Sequence, residues 1–300
     1  MRPALARTCR MDDRRILIPH LDDVGMCHGA NRAMLELSRA GVLTCGSVMV
    51  PCPWFPEIAQ AYRTRRDLDL GVHLTLTSEW QSYRWRPLTG CSRKGGLVDD
   101  DGYMWRNCVL LRRHVDPVAA EEELRAQIET ALSAGLDVTH LDTHMGAAAV
   151  PELVAIYLRL GRDYRLPVLL PREIESYLDV LKLGAVRPED YRPWLEALEA
   201  EGAQFVDRFR MTPGVPSAEA EATYRRLIAE LPPGVTFLSL HANAPGDIET
   251  IVPDRAHWRT DEYRILADPA FAGFLREQGV ELSGMRALRA RLRAGTAGPP

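Results

Sequence analysis

The sequence lacks the features that mark membrane-spanning, secreted and nucleic-acid-binding proteins. No apolar run approaches the ~20 residues that a transmembrane helix needs. The basic N-terminal stretch has no apolar core, so it does not resemble a secretory signal. The 37 Lys and Arg residues are outnumbered by 41 Asp and Glu, which gives a net charge of −4 and no electrostatic footprint for nucleic acid. We therefore expect no membrane and no nucleic-acid partner.

Paired cysteines and several common catalytic motifs are also missing. The six Cys all fall within the first 108 residues and form no CxxC pair. This usage is typical of reduced thiols in a cytoplasmic protein rather than of a disulfide framework. The sequence contains no GxGxxG, Walker, GxSxG or HExxH pattern, so it offers no marker of a dinucleotide site, a P-loop, a nucleophile elbow or a zincin helix.

What the sequence does contain is an alternation of short apolar runs and helical patterns. In 300 residues, this order favours a parallel sheet covered by helices. With about seven βα units at this length, we expect an α/β fold, a TIM-like (β/α) barrel of seven or eight strands, with its active site at the C-terminal strand ends. The predicted strands are 16–20, 46–50, 70–77, 138–144, 167–170, 234–241 and 280–285.

No break in composition divides the chain into two domains. We predict a flexible N-terminal leader over 1–14, a single barrel domain over 15–290 and a flexible tail over 291–300. Residues 81–116 are irregular and glycine-rich, and a loop of this length in a compact domain is usually a functional lid or an insertion.

Polar residues gather at the ends of four predicted strands that lie far apart in the sequence. Because the C-terminal ends of parallel strands meet at one mouth of a barrel, we expect these side chains to converge. Taken singly, Asp22-Asp23 could be a solvated turn and His73 a hydrogen-bonded core histidine. The set comprises His20, Asp22 and Asp23 on the first strand, His73 on the third, His140, Asp142 and His144 on the fourth, and His241 on the late strand.

The fourth strand and the Asp pair together indicate a metal site. In a strand His140, Asp142 and His144 share one face, although His140 and His144 could also lie one helical turn apart. Two adjacent carboxylates repel unless a cation lies nearby. Two His and one Asp with an open position is the usual ligand set of a catalytic metal. Nitrogen and oxygen ligands are compatible with Zn, Mn, Co or Mg.

Four sequence blocks resemble the YdjC-like carbohydrate deacetylases, the group that includes the chitooligosaccharide deacetylases. They cover roughly residues 15–170, and His241 fits a fifth, weaker block. The blocks are Asp22-Asp23-Val24-Gly25 with Asn31, Gly46-Ser47-Val48-Met49-Val50, Gly71-Val72-His73-Leu74-Thr75-Leu76-Thr77, and Thr139-His140-Leu141-Asp142-Thr143-His144.

This resemblance implies a TIM-type barrel, one divalent cation (Mg or Zn favoured, Mn or Co also compatible) and hydrolysis of an N-acetyl group from a sugar. By the family pattern Asp22 would take a proton from the attacking water, and His241 would protonate the leaving amine. The metal ligands would be Asp23, His73 and His144, and the residues lining the pocket or orienting the ligands would be His20, His140 and Asp142.

The sequence departs from the family pattern at the pocket, which leaves the substrate open. His20-Leu21 replaces the usual Asn-Ala, and Ala242 replaces the usual Pro. A hydrolase of another amide or ester, and a sugar- or metal-binding barrel without catalysis, are the alternatives. For a phosphoester substrate Arg172 is the one candidate anchor. We expect a small carbohydrate partner, with Trp80 or Trp85 able to stack on it. A barrel with exposed aromatic loops could also form a homodimer.

Overall fold

A computed structural model of the chain describes residues 14–90, 92–203 and 206–295. The predicted leader, apart from Arg14, and residues 296–300 of the predicted tail lie outside the described residues. Within them the chain forms one parallel sheet. The strands, β1 to β7, run Arg15–Val24, Cys45–Val48, Leu70–Leu74, Leu141–Thr143, Arg208–Met211, Gly234–Leu240 and Glu281–Leu282.

The sheet is centred on β1, the longest strand. The strand order is β4-β3-β2-β1-β6-β5, and β7 pairs with the first part of β1. All of β1 after its first residues is buried. Burial on both faces is typical of a parallel sheet that helices cover, and it explains why the strand is continuously apolar up to its polar end.

Helices connect the strands and cover the sheet. The first is followed by Gly41, whose φ of 72° places it in the left-handed region that favours glycine after a helix. The fourth begins with Asp116 as its N-cap and Pro117 in its first turn, both common at helix starts. Helices α1 to α12 run His28–Ala40, Phe55–Tyr62, Cys108–His114, Pro117–Ser133, Val154–Tyr164, Glu175–Leu178, Arg192–Ala200, Ser217–Ala229, Ile248–Ile251, Ala256–Ala267, Pro269–Glu277 and Met285–Gly295.

The prediction of a closed barrel with seven or eight strands is wrong, although the parallel α/β architecture is confirmed. The described sheet is open between β4 and β5. The segment 167–173 crosses this gap, but it makes only isolated backbone hydrogen bonds to the two edges, at Leu141 on one side and at Val206 and Asp207 on the other. Pro167 and Pro171 have no N–H to donate, and each interrupts a ladder of hydrogen bonds. The predicted strand 167–170 is therefore irregular.

The irregular segment 81–116 packs at the C-terminal edge of the sheet. It contains α3 and a short 3₁₀ turn at Arg93–Gly95, and it buries Trp85 and Met104 in a small apolar cluster beneath the loop after β1. At the other end of the chain, α12 extends to Gly295, so the beginning of the predicted tail is helical. Among the described residues we find no helix of the length and apolarity needed to cross a bilayer.

Candidate active site

The polar residues predicted at the strand ends do converge at the C-terminal edge of the sheet. Neighbouring strands bring them together, because β3 pairs with β4 so that His73 lies opposite Asp142, and β1 pairs with β6 so that His20 lies opposite Ser239. Almost all of these side chains are buried. The cluster contains His20, Asp22, Asp23, His73, His140, Asp142, His144 and His241.

A bulge in β1 aims both aspartates of the pair at this cluster. Leu21 pairs with Gly46 and Val24 pairs with Val48. Between these pairs, Asp22 and Asp23 of β1 lie opposite the single residue Ser47 of β2. Asp23 has a φ of 61°, in the left-handed region that non-glycine residues rarely adopt. Side chains of a regular strand alternate between faces, and a bulge overrides this alternation. Backbone strain of this kind is common at functional sites.

Asp23, His73 and His144 form a compact triad. The Oδ1 atom of Asp23 lies 3.1 Å from Nδ1 of His144 and 3.5 Å from Nε2 of His73. Ligand atoms bound to one tetrahedral ion at ~2.0–2.1 Å lie about 3.3 Å from one another. The three side chains therefore already have the spacing of a metal-binding set.

A further polar group holds the opposite atom of each member of the triad. Arg259 on α10 donates to Oδ2 of Asp23 at 2.8 Å, and Nε2 of His144 lies 2.9 Å from Glu79. The Nδ1 atom of His73 lies 3.0 Å from both Asp142 and the hydroxyl of Ser47. Outer partners of this type fix the orientation of metal ligands.

The charges of the triad are strongly coupled. Burial alone would raise the pKa of Asp23, but Arg259 and hydrogen bonds from the two histidines lower it well below its usual value. Burial opposes protonation of His144, yet Glu79 and Asp23 raise its pKa to about 9. Asp142 and Asp23 likewise raise the pKa of His73 well above its usual value, against the effect of burial. Without a metal ion, protons on the histidines thus balance the carboxylates.

Asp22 and His241 lie beside the triad. Asp22 contacts His20 through Oδ1 at 2.7 Å and accepts a hydrogen bond from Ser239 at Oδ2, also at 2.7 Å. The Nε2 atom of His241 lies 3.8 Å from Oδ2 of Asp22. Burial lowers the pKa of His241 to about 4, and Glu262 holds its backbone N–H at 2.5 Å.

Arg172, which the sequence suggested as a contact for substrate or ligands, lies outside this cluster. Its guanidinium pairs with Glu199 at 3.1 Å and with Asp207 at 3.4 Å. Asp207 in turn accepts from the backbone of Val235 at the beginning of β6. Because the cluster lies where the strands end, Arg172 is at the opposite edge of the sheet.

The two tryptophans predicted to contact a sugar differ in their surroundings. Trp85 is 3% exposed, donates from its indole N–H to Thr77 and packs its ring 5.8 Å from that of His144. It is therefore part of the wall that supports His144. Trp80 is half-buried, and the guanidinium of Arg259 lies 5.6 Å from its ring. Trp80 is therefore near the cluster, and its contact with a sugar stays a prediction.

Five residues of the site were not predicted from the sequence: Ser47, Glu79, Ser239, Arg259 and Glu262. Ser47 lies within one of the quoted blocks, so its position in that block could have indicated it. Arg259 and Glu262 come from α10, whose sequence resembles that of any polar helix, and no local pattern distinguishes them.

Comparisons with known proteins identify the family of the chain. A family model described as YdjC-like protein matches residues 16–277 of the chain. The chain belongs to the YdjC-like family. The resemblance stated from the four sequence blocks is thereby confirmed, and the match extends well beyond those blocks.

Relatives of this chain carry the name carbohydrate deacetylase. The protein from Thermus thermophilus is 38% identical over 266 residues, which cover 88% of this chain and 90% of the relative. The protein from Thermoanaerobacter pseudethanolicus is 29% identical over 154 residues, or 51% of this chain and 59% of the relative.

A solved structure from Enterococcus faecalis V583 shares the fold. That protein is named for a proposed role in cellobiose-phosphate cleavage, and it superposes with a TM-score of 0.73 at 23% identity. The match covers 92% of this chain and 99% of that one. At this identity the similarity shows a shared fold and does not show a shared reaction.

Proposed function

We propose that this protein is a divalent-metal-dependent hydrolase that removes an acetyl group from an N-acetylated carbohydrate. The names of its relatives support the reaction class. The observation that carries the metal dependence is the buried triad of Asp23, His73 and His144, in which an outer partner anchors every ligand.

The residues present fit a cation in both charge and donor type. Three carboxylates, those of Asp22, Glu79 and Asp142, lie beside the triad, which itself contains the carboxylate of Asp23. On the positive side, the guanidinium of Arg259 contacts Asp23. A bound divalent ion would balance this excess of negative charge, polarise the acetamide carbonyl and lower the pKa of a water molecule. Two imidazoles and one carboxylate favour Zn²⁺, Mn²⁺ or Co²⁺, whereas Mg²⁺ prefers oxygen ligands.

Asp22 is the proposed general base. Its Oδ1 atom is occupied by His20, and its Oδ2 atom lies towards His241. Asp22 would take one proton from water as the water oxygen bonds to the acetyl carbon. This assignment stays a proposal, as do those of the metal ligands.

His241 is the proposed acid. With its pKa lowered to about 4, this histidine is neutral near neutral pH, so it must first receive a proton before it can donate one. Oδ2 of Asp22, at 3.8 Å from Nε2, is close enough to supply it after a small movement or through one water molecule. His241 would then protonate the nitrogen as the carbon–nitrogen bond breaks, and the products would be acetate and a free amine.

The proposal is tested by measuring acetate release from N-acetylglucosamine and short chitooligosaccharides. Metal-free protein is prepared with a chelator, and Zn²⁺, Mn²⁺, Co²⁺ and Mg²⁺ are added back singly. We expect release that depends on added metal and stops with chelator. No release from folded protein with its metal content measured would contradict the sugar-deacetylase assignment and leave another amide or ester as the substrate. The homodimer and the cytoplasmic location stay predictions.

A further inference from the structure

A buried chain of hydrogen bonds leads from Asp22 through two histidines. Oδ1 of Asp22 lies 2.7 Å from Nδ1 of His20. The Nε2 atom of His20 lies 2.9 Å from Nε2 of His140, and Nδ1 of His140 lies 2.9 Å from the hydroxyl of Thr139. His20, His140 and Thr139 are fully buried, so water does not substitute for these contacts.

The order of contacts restricts where the hydrogens lie. Burial and the neighbouring His20 lower the pKa of His140 to about 3, so His140 is neutral and carries one ring hydrogen. An ionised Asp22 can only accept, which requires a hydrogen on Nδ1 of His20. If Nδ1 carries the only ring hydrogen of His20, its Nε2 atom accepts from Nε2–H of His140, and Nδ1 of His140 then accepts from Thr139. In this arrangement Thr139 donates to His140, His140 donates to His20, and His20 donates to Asp22.

Packing holds both imidazole rings in place. The ring of His20 lies against Phe237, with centroids 4.6 Å apart, and meets the ring of His140 edge-on at 5.0 Å. The ring of His140 lies directly over Gly71, where an added Cβ atom would be 2.5–2.6 Å from three ring atoms. Only a residue without a side chain leaves room for His140 at this position.

We propose that His20 is a positioning residue for Asp22: its Nδ1–H holds Oδ1 of the carboxylate, so that Oδ2, which accepts from Ser239, stays on the side that faces His241. The proposal rests on the proposed function for the role of Asp22. The amide nitrogen of Asn is bonded to Cγ, as is Nδ1 of His. An Asn side chain at this position would therefore also offer a donor to Asp22.

Three variants at this position separate the donor from the ring. His20→Asn keeps a donor on Cγ and loses the contact with His140. His20→Gln places its donor one bond farther out, at the position of Nε2, and His20→Phe keeps the ring and loses both nitrogens. We expect kcat to fall by roughly 10–100-fold in the Gln and Phe variants, the range found for outer partners of a site. His20→Asn should retain most of kcat, with KM and metal affinity near wild type in all three.

Two results would overturn this assignment. If His20→Asn loses as much kcat as His20→Phe, the donor is not what matters. If His20→Phe keeps the wild-type kcat, His20 does not position Asp22. Metal affinity from titration calorimetry reports on the neighbouring triad without turnover, so a variant that has merely lost its fold is recognised by loss of metal binding.

A spectroscopic measurement tests the same contact without any substrate. Full-length metal-free protein labelled with ¹⁵N-histidine should show a protonated Nδ1 on His20 and a neutral His140 protonated at Nε2, with the assignment made from the His20→Asn and His140→Gln spectra. An unprotonated Nδ1 on His20 would overturn the proposal. So would a second bound metal ion that disappears in His20→Asn, because Nε2 of His20, Nε2 of His140 and Oδ2 of Asp142 would then be its ligands. If the tautomers are as expected and acetate is not released, the proposed function fails and the hydrogen bond stands.

Discussion

Replacing Gly71 by Ala gives a perturbation whose size can be worked out from the structure. The new Cβ atom would lie 2.5–2.6 Å from three atoms of the His140 ring, whereas non-bonded carbon atoms are comfortable at about 3.5–4.0 Å. The ring must therefore move by about 1 Å. Since it is buried and hydrogen-bonded to Thr139 and His20, any such movement strains those contacts.

The expected cost is moderate and has a definite sign. Overpacking a core costs about 1–3 kcal/mol. The loss of freedom in the unfolded chain on replacing Gly by Ala returns about 0.4–1 kcal/mol. We expect a net loss of about 1–2 kcal/mol, or a fall in Tm of roughly 2–8 °C at ~2–4 °C per kcal/mol for a chain of this size. Displacement of His140 should also lower kcat through His20.

Gly273 offers a matched control. It lies within α11, and the nearest atom to an added Cβ is the flexible end of Arg276 at 3.8 Å. Gly273→Ala should raise stability by about 0.5–1 kcal/mol, the helical preference of Ala over Gly. Thermal and urea unfolding of the metal-free proteins measure both changes. In a His140→Ala background, the cost of Gly71→Ala should disappear, since the clashing ring is gone. A Gly71→Ala protein as stable and as active as Gly273→Ala would refute the reasoning.

Three further outcomes follow from the site. Because Glu79 and Asp23 raise the pKa of His144 to about 9, metal binding near pH 7 must release a proton from this residue. The calorimetric binding enthalpy should therefore depend on the ionisation enthalpy of the buffer, and metal affinity should rise with pH up to about 9. A binding enthalpy that is the same in all buffers would count against this. Glu79→Gln should weaken metal binding by roughly 10–100-fold. Glu57 pairs with a histidine outside the site, so Glu57→Gln should leave metal binding unchanged, and equal effects of the two changes would contradict the role of Glu79 as a partner of His144. Trp85→Ala should destabilise the fold by about 3–5 kcal/mol, whereas Trp80→Ala should mainly raise KM; the reverse pattern in unfolding and kinetic assays would show that their roles are exchanged.

The sequence was sufficient for the parallel architecture and for most of the residues of the cluster. Polar residues stand out at the end of an apolar strand because burying them there is costly unless they are paired. His73 and Asp142 illustrate this, since both are buried polar residues and the two lie opposite each other in the sheet. The same reasoning could not reveal the bulge at Asp22 and Asp23, because it depends on how β1 pairs with β2 rather than on any local pattern.

Two aspects of the structure lay beyond sequence reasoning for different reasons. Counting βα units predicted closure of the barrel, but Pro167 and Pro171 interrupt the strand that would have filled the gap. Arg259 contacts Asp23 across more than two hundred residues of chain, and the position of α10 above the cluster is set by packing against α1 and α8. Long-range contacts of this kind have no signature in a single sequence.

The most direct test of the account measures metal content and acetate release together in Asp22→Asn, beside wild type and Asp23→Ala. Asn preserves the shape of Asp22 but cannot take a proton, whereas Asp23→Ala removes a proposed ligand. We predict that Asp22→Asn binds metal as wild type does and loses acetate release by roughly 10²–10⁴-fold. Asp23→Ala should lose metal and activity together. An Asp22→Asn protein that keeps full activity, or an Asp23→Ala protein that keeps its metal, would contradict the central claim.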